Sequence, residues 1–347
     1  MKSYLKIFLV LLTVSSYSLT VAQSNNPIQL LEQGRKTSIR GLSVVSNKII
    51  WVSGSGGSVG KSVDGGKTFK WITVKGYEKT DFRDIEAYNH KTAIIMAIAE
   101  PAIMLKTIDG GENWYKVFED STKGMFLDAM HAEGKNIQVI GDPINGKAFF
   151  AMSNNLGETW ETNKLDGIAL NEGEAFFASS GTNLQISTSS QTFKKGTFMV
   201  TGGKVARLLN ARDQRDQYPL PILQGKESTG ANSIAISPSG KNAFIVGGDF
   251  AKDTIRMGNS VAVNLVPSIQ FIQPQTPPFG YRSCVIYLTN KILIACGTSG
   301  VDISKDGGMN WNNISTQSFH VVQKAKNGNA IFLAGGGGRI AKLAMIP

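Results

Sequence analysis

Short apolar runs separated by glycine-rich polar turns recur along the whole chain, and no apolar stripe with helical spacing is sustained between them. Residues 49–69 show the pattern most clearly. Two apolar segments meet there at a glycine turn, and a polar turn closes the second segment. The 38 glycines are typical of turn-rich β structure. The pattern predicts an all-β protein.

The closing turn is repeated. Its sequence is SVDGGKTF at residues 62–69, TIDGGENW at 107–114, SNNLGETW at 153–160 and SKDGGMNW at 304–311. In such a turn the Asp or Asn side chain accepts hydrogen bonds from backbone N–H groups, and the glycines adopt positive φ. We name it the Asp-box turn and interpret its acceptors as structural, neither catalytic nor calcium-binding: Asp64, Asp109, Asn155 and Asp306.

The spacing of these turns predicts the architecture. Asp64, Asp109 and Asn155 are 45 and 46 residues apart, as expected for a four-stranded propeller blade. Roughly 320 residues beyond the first 26, divided by a period of about 45, give seven blades. We therefore predict that residues 23–347 form one seven-bladed β-propeller. The last blade lacks a strand, which residues 28–39 are expected to supply, so that the ring closes.

Residues 1–22 are predicted to be a cleaved signal peptide. Lys2 and Lys6 precede an apolar core at residues 7–14, and small residues lie before Gln23. The core is too short to span a bilayer, and no later apolar run is long enough. We expect a periplasmic or secreted monomer that does not insert into the membrane.

The chain is basic, with a formal net charge of +10. Loss of Lys2 and Lys6 leaves about +8 on the mature protein. The basic residues are dispersed, and export argues against a nucleic acid partner. A preference for anionic protein or glycan ligands remains.

The two cysteines, Cys284 and Cys296, are expected to face each other across a hairpin that turns at Asn290. In that hairpin the residue numbers of two opposed positions add up to 580, and those of the two cysteines do so. Such a pair in an oxidising compartment forms either a disulfide or, since directly opposed positions strain that bond, two buried thiols. Neither alternative implies catalysis.

Segments that look like cofactor or metal motifs lack the surrounding residues that such sites require. Residues 55–62, SGGSVGKS, end like a phosphate-binding loop, but Ser55 stands where glycine is required and no helix follows. The histidines His90, His131 and His320 are isolated in the sequence. We therefore expect no cofactor and no metal.

A functional site is expected on the face opposite the Asp-box turns, where the innermost strands begin. Aligning those starts gives Ile39-Arg40-Gly41, Phe82-Arg83-Asp84, Phe126-Leu127-Asp128, Tyr281-Arg282-Ser283 and Phe319-His320-Val321. Pseudo-symmetry then brings several polar residues to one mouth of the channel: Arg40, Arg83, Arg282 and His320, with Glu174 from the start of blade four and Asp142 and Asp249 from hairpin turns. They either pair with one another or receive an anionic or polyhydroxylated group through the guanidinium forks.

Several further segments are also distinctive: Gly141-Asp142-Pro143, Thr201-Gly202-Gly203, Gly247-Gly248-Asp249-Phe250 and Gly280-Tyr281-Arg282-Ser283. With the four turns, they make residues 40–335 resemble the seven-bladed Asp-box, or BNR-repeat, propellers similar to photosystem II stability and assembly factors and their bacterial relatives. Some of these relatives are labelled oxidoreductase or glycosyl hydrolase. The resemblance implies a binding or assembly platform. Nothing in the sequence indicates a photosynthetic host.

Three functional hypotheses follow. The first is an exported, non-catalytic propeller that binds a protein or glycan at the arginine-rich mouth. The second is a sialidase-like hydrolase or lyase, with Glu174 or Asp249 as acid or base and Tyr281 beside them, which requires two carboxyl groups about 5–10 Å apart. The third, an oxidoreductase, rests on the family label alone.

Overall fold

The computed structural model describes residues 27–162, 168–187, 196–211 and 216–344. The strands within these ranges form seven antiparallel sheets, which are the blades of a β-propeller. The all-β, seven-bladed prediction is confirmed. The predicted signal peptide, residues 1–22, lies outside the described residues.

The first three blades follow one another in the chain, each with its strands in sequence order. Blade one consists of β2 (Ile39–Val44), β3 (Ile50–Gly54), β4 (Ser58–Ser62) and β5 (Lys70–Thr73). Blade two consists of β6 (Phe82–Ala87), β7 (Ala93–Ala97), β8 (Ala102–Thr107) and β9 (Tyr115–Asp120). Blade three consists of β10 (Leu127–Glu133), β11 (Asn136–Ile144), β12 (Lys147–Ser153) and β13 (Glu161–Thr162).

Blades four to six are less regular. Blade four consists of β15 (Leu184–Ser187), β16 (Gly196–Val200), β18 (Arg207–Asn210) and β19 (Gln217–Pro219). Blade five consists of β20 (Thr229–Ile236), β21 (Asn242–Asp249), β22 (Ser260–Asn264) and β23 (Gln270–Ile272). Blade six consists of β24 (Cys284–Tyr287), β25 (Leu293–Gly297), β26 (Gly300–Ser304) and β27 (Trp311–Ser315).

Two short strands join blades four and five. β14 (Glu174–Ala175) pairs with β17 (Gly202–Gly203), and β17 pairs with β20 of blade five. Glu174 was predicted to start the innermost strand of blade four. That placement is wrong, because the innermost strand is β15 and begins at Leu184.

Blade seven closes the ring with a strand from the other end of the chain. It consists of β28 (Val321–Lys324), β29 (Ile331–Gly335), β30 (Arg339–Leu343) and, outermost, β1 (Ile28–Glu32). Ile28 pairs with Leu343. The predicted closure by the N-terminal segment is confirmed, and it covers an edge that an open blade would expose. Besides a 3-10 turn at Gly336–Gly338, the described ranges hold no helix, so none is long and apolar enough to cross a membrane.

The Asp-box turns have the predicted hydrogen bonds. In the first turn, Asp64 accepts the N–H of Thr68 at 3.0 Å and its hydroxyl at 2.6 Å, while the Ser62 hydroxyl accepts the N–H of Gly66 at 2.9 Å. The bonds from Thr68 lower the pKa of Asp64 to about 2. The N–H of Gly65 donates to the carbonyl of Lys48, and this bond connects the turn to the hairpin between β2 and β3 of blade one.

The hydrophobic core lies between neighbouring blades, and the two cysteines belong to it. Cys284 pairs with Cys296 across β24 and β25, so the predicted register is confirmed. Both residues are buried as free thiols, which is the second of the two alternatives.

Candidate functional site

The innermost strands of four blades carry a β-bulge near their starts. In blade one, Ile39 pairs with Gly54 and Gly41 pairs with Ser53, so that Arg40 has no pairing partner. The same shift isolates one residue in each of three further blades: Arg83, Asp128 and Asn232. A bulge turns a side chain away from the regular alternation of a strand. All four residues line one cavity.

This cavity, which we call the mouth cavity, lies at the channel end where the innermost strands begin, and has a volume of about 500 Å³. Its polar lining includes four of the predicted ligand-binding residues, Arg40, Arg83, Asp142 and His320, together with the catalytic candidate Tyr281 and with Asp128. Its apolar lining includes the aromatic residues Phe126, Phe176, Phe177 and Phe250. The predicted site is therefore brought together in part.

Arg40 and Arg83 differ in their partners. Arg83 Nε donates to Asp81 Oδ2 at 2.8 Å, and its guanidinium lies 6.0 Å from the centre of the Phe126 ring. Arg40 Nη1 donates only to the carbonyl of Ser179, at 3.2 Å, and no carboxylate in the described ranges forms an ion pair with it. Burial lowers the pKa of Arg40, and the charge of Arg83 adds to this effect. Within the described ranges, the positive charge of Arg40 therefore has no direct ion-pair partner.

His320 and Tyr281 are uncharged at neutral pH. His320 Nδ1–H donates to the carbonyl of Ile39 at 3.0 Å, and burial, followed by the charge of Arg40, lowers the pKa of His320 to about 4. The Tyr281 hydroxyl donates to Asn232 Oδ1 at 2.9 Å, and burial raises its pKa to about 12. Both groups are therefore uncharged, and the one polar hydrogen of each is already bonded within the protein.

The acidic residues of the mouth cavity are also held towards their neutral forms. Burial raises the pKa of Asp142 to about 6, although its carboxylate accepts the N–H of Phe176 at 3.0 Å. Burial raises the pKa of Asp128 well above its usual range, and the neighbouring charge of Asp142 raises it further. At neutral pH Asp142 is still mostly ionised, whereas Asp128 is held towards its neutral form, so the two arginines of the mouth cavity outnumber its ionised carboxylate.

The role of Asp128 was missed in the sequence because the strand starts were aligned one residue out of register. Leu127 was placed opposite Arg40, whereas the bulge makes Asp128 the counterpart of Arg40. The pattern of an apolar, a polar and a small residue, shared by Ile39-Arg40-Gly41 and Leu127-Asp128-Ala129, is the signal that locates it. The same pattern in Ala231-Asn232-Ser233 locates Asn232.

Arg282 does not line the mouth cavity. Its side chain is fully buried, and its Nε and Nη2 lie 2.7 and 2.6 Å from Asp302 Oδ2. Its Nη1 donates to the carbonyl of Tyr281 and to the Ser299 hydroxyl, each at 2.8 Å. The expectation that Arg282 receives a ligand is therefore corrected: its buried guanidinium is held in an ion pair with Asp302.

Glu174 and Asp249 do not line the mouth cavity either. Arg207 donates to Glu174 from Nε at 2.8 Å and from Nη2 at 2.7 Å, and the Thr201 hydroxyl donates to it at 2.6 Å. Burial opposes the charged form of Glu174, but these bonds outweigh burial and lower its pKa. Asp249 accepts the N–H of Ala251 at 2.9 Å and caps its own turn.

These placements bear on the second hypothesis. A sialidase-like site needs two carboxyl groups that face a substrate across an open cavity. Glu174 is held in an ion pair, Asp249 caps a turn, and the hydroxyl of Tyr281 is bonded to Asn232. The residues chosen for catalysis thus do not form such a pair. Within the described ranges, no group of three His, Cys, Asp or Glu residues is placed to hold a metal ion.

Fold and site together define a seven-bladed β-propeller with an arginine-lined channel mouth. No protein-family model and no curated protein matches the chain. Among solved structures, the fold is similar to YCF48 bound to D1 peptide, with a TM-score of 0.64, 17% identity, and coverage of 93% of this chain and 98% of that chain. It is also similar to YCF48 from Cyanidioschyzon merolae, with a TM-score of 0.63, 15% identity, and coverage of 91% and 98%.

Proposed function

We infer that this protein is an exported, non-catalytic propeller whose mouth cavity binds an anionic segment of a protein partner. The observation that carries this proposal is Arg40, a partly buried guanidinium without a carboxylate partner in the described ranges. An uncompensated buried charge lowers stability, and a bound anion would offset that cost. Carboxylates and phosphates match the guanidinium fork through two parallel hydrogen bonds.

The surroundings of the mouth cavity favour a polypeptide over a glycan. The ring centre of Phe250 lies 6.0 Å from that of Phe177 and 6.3 Å from that of Tyr281. The loop that follows exposes further apolar side chains, with Ile255 at 38% and Met257 at 81% exposure. Aromatic residues, methionine and arginine are enriched in protein interfaces. The solved YCF48 with a D1 peptide supports the same class of ligand on the same fold.

Export is part of the proposal and is tested separately. The basic start, apolar core and small residues of residues 1–22 support cleavage before Gln23. Intact mass measurement of the protein recovered from the periplasm or medium should show a chain beginning at Gln23. Recovery of the uncleaved chain from the cytoplasm would contradict this part of the proposal.

Binding is tested with peptide arrays in which each acidic peptide has a partner with Asp and Glu replaced by Asn and Gln. The fluorescence anisotropy of selected pairs then measures affinity for the intact mature protein. We expect acidic peptides with a neighbouring apolar residue to bind. Arg40→Met should lower the affinity for these peptides about tenfold or more, because a hydrogen bond to a charged group contributes about 1.5–3 kcal/mol.

Arg35→Met is the matched control. Arg35 lies over the ring of Trp71, away from the mouth cavity, and its side chain is 48% exposed. This variant loses the same charge and should leave peptide affinity unchanged. Equal weakening by both variants would show a non-specific charge effect. Binding of acidic glycans but no peptides would assign the mouth cavity to the other ligand class.

A further inference from the structure

A second cavity lies on the propeller axis at the opposite end from the mouth cavity. Its volume is about 560 Å³, and it is lined by residues from all seven innermost strands. Val44, Ala87 and Glu133, at or near the ends of their strands, place it towards the Asp-box face. We call it the axial cavity. Its size lies within the range of small-molecule sites, roughly 300–1,000 Å³.

Polar side chains from three blades line the axial cavity without hydrogen-bond partners in the described ranges. They are Gln185 from blade four, Tyr287 from blade six and Gln323 from blade seven. None of the three side chains makes a hydrogen bond to any group in the described part of the chain, and each is partly accessible. An amide offers two donors and an acceptor, and a phenol offers one donor and an acceptor. The cavity therefore presents open hydrogen-bonding groups of both kinds.

The charged residues of the axial cavity are largely compensated. Lys326 Nζ donates to Glu86 Oε2 at 2.5 Å, and Glu86 Oε1 accepts the N–H of Ala132 at 3.1 Å. Asp84 accepts the N–H groups of Ile85 at 2.8 Å and Met130 at 2.7 Å. A carboxylate accepts about four hydrogen bonds and an ammonium donates three, so Glu86 and Lys326 retain capacity for a ligand. Neither sign of charge is left in clear excess.

The remaining wall is apolar. Leu42, Ile85, Met130, Val285 and Ile286 contribute to it between the polar groups. A ligand that fits this wall carries many hydroxyl groups, which both donate and accept, and C–H faces that pack against apolar and aromatic surface. A strongly charged ligand is less well matched, because Glu86 and Lys326 already neutralise each other.

We propose that the axial cavity binds a small neutral polyhydroxylated ligand, a mono- or disaccharide unit, through Tyr287, Gln185, Gln323 and the Glu86–Lys326 pair. The site lies at the other end of the channel from Arg40 and uses none of the mouth residues. It is therefore independent of the proposed protein binding.

The proposal is tested by saturation-transfer NMR and calorimetry on the intact mature protein. The neutral probes are glucose, mannose, N-acetylglucosamine, maltose and trehalose, and the charged probes are inorganic phosphate and free lysine. At least one sugar should bind. Tyr287→Phe and Gln323→Leu should each lower the affinity for that sugar about two- to tenfold, which is the effect of losing one hydrogen bond. If the melting temperatures of the two variants are unchanged, the stability of the fold does not depend on these side chains, and the loss of affinity reports lost contacts with the sugar.

Two controls separate the axial cavity from the rest of the molecule. Tyr115→Phe removes an exposed phenol bonded to Glu158 and should leave sugar affinity unchanged. Arg40→Met should also leave it unchanged. The proposal is overturned if none of the five sugars binds at about 10 mM, a concentration at which a site with a Kd of about 1 mM would be roughly 90% occupied. Binding of only the charged probes, or loss of sugar binding in Arg40→Met, would equally overturn it.

Discussion

The two faces of the propeller use repetition in opposite ways. On the Asp-box face, the same acceptor recurs at the same place in four turns, and each copy is bonded to its own turn: Asp64, Asp109, Asn155 and Asp306. At the mouth, the same bulge recurs in four blades but carries three residue types over the four positions: Arg40 and Arg83, then Asp128, then Asn232.

This difference separates structural from functional polar groups. A residue repeated with the same hydrogen bonds contributes to each blade in the same way, so its role is local. A repeated β-bulge that carries different side chains gives the mouth cavity an asymmetric lining. There, Arg40 lacks a carboxylate partner in the described ranges. Arg282, which lies two residues before the innermost strand of blade six, has one in Asp302.

The largest expected effect contrasts these two arginines. Arg282→Met leaves Asp302 buried and unpaired, which should lower the free energy of unfolding by about 3–5 kcal/mol. Arg40→Met removes a partly buried charge that has no ion-pair partner in the described ranges, and it should change stability by about 1 kcal/mol or less, or raise it. Urea denaturation of the two variants measures the difference. Equal destabilisation would mean that Arg40 is a structural residue after all.

A smaller effect concerns the Asp-box carboxylates. Asp64→Ala removes the acceptor of two bonds from Thr68 and should lower the melting temperature by a few degrees. Asp64→Asn should lower it less, because Asn155 fills the same position in the third turn. Thermal unfolding followed by circular dichroism measures both variants. A larger loss in Asp64→Asn would show that charge, and not the acceptor alone, is required.

The same carboxylates predict the acid limit of stability. The folded-state pKa values of Asp64 and Asp109, each about 2, lie below that of an unfolded Asp, about 4. Their stabilisation is therefore present above pH 4 and is lost as pH falls through the folded values. Chemical unfolding between pH 5 and 2 should show this fall, and Asp64→Asn should flatten it.

The smallest effect is a pH dependence of binding at the mouth. Asp142 has a pKa of about 6, so its negative charge disappears as pH falls from 7 to 5. Affinity for a peptide whose carboxylates stay ionised should rise a few-fold over this range. Asp142→Asn should bind at pH 7 as the wild type binds at pH 5. Anisotropy titrations at both pH values measure it, and a fall in affinity at pH 5 would contradict the proposed sign.

The fold could be predicted from the sequence because its signals are local. A turn of eight residues repeated every 45 residues specifies the blade, and the missing strand of blade seven specifies the closure by Ile28–Glu32. The register of Cys284 against Cys296 followed from one hairpin.

The site could be predicted only in part, since ion pairs between distant segments leave no local signal. Arg40 and Arg282 look alike in the sequence, yet Asp302, the partner of Arg282, lies 20 residues further along the chain, in the third strand of blade six. Likewise, the residues next to Glu174 in the sequence do not indicate that Arg207 is its ion-pair partner. The bulge that sets Asp128 in register with Arg40 depends on pairing with a second strand.

A double-mutant cycle between Arg40→Met and the Glu→Gln form of a bound acidic peptide tests the central claim most directly. The four affinities give the coupling energy between the guanidinium and the peptide carboxylate. We predict a coupling of about 1.5 kcal/mol or more, as expected for a close charge pair in an interface. A coupling indistinguishable from zero, with both single changes merely additive, would show that the mouth does not receive the anion through Arg40.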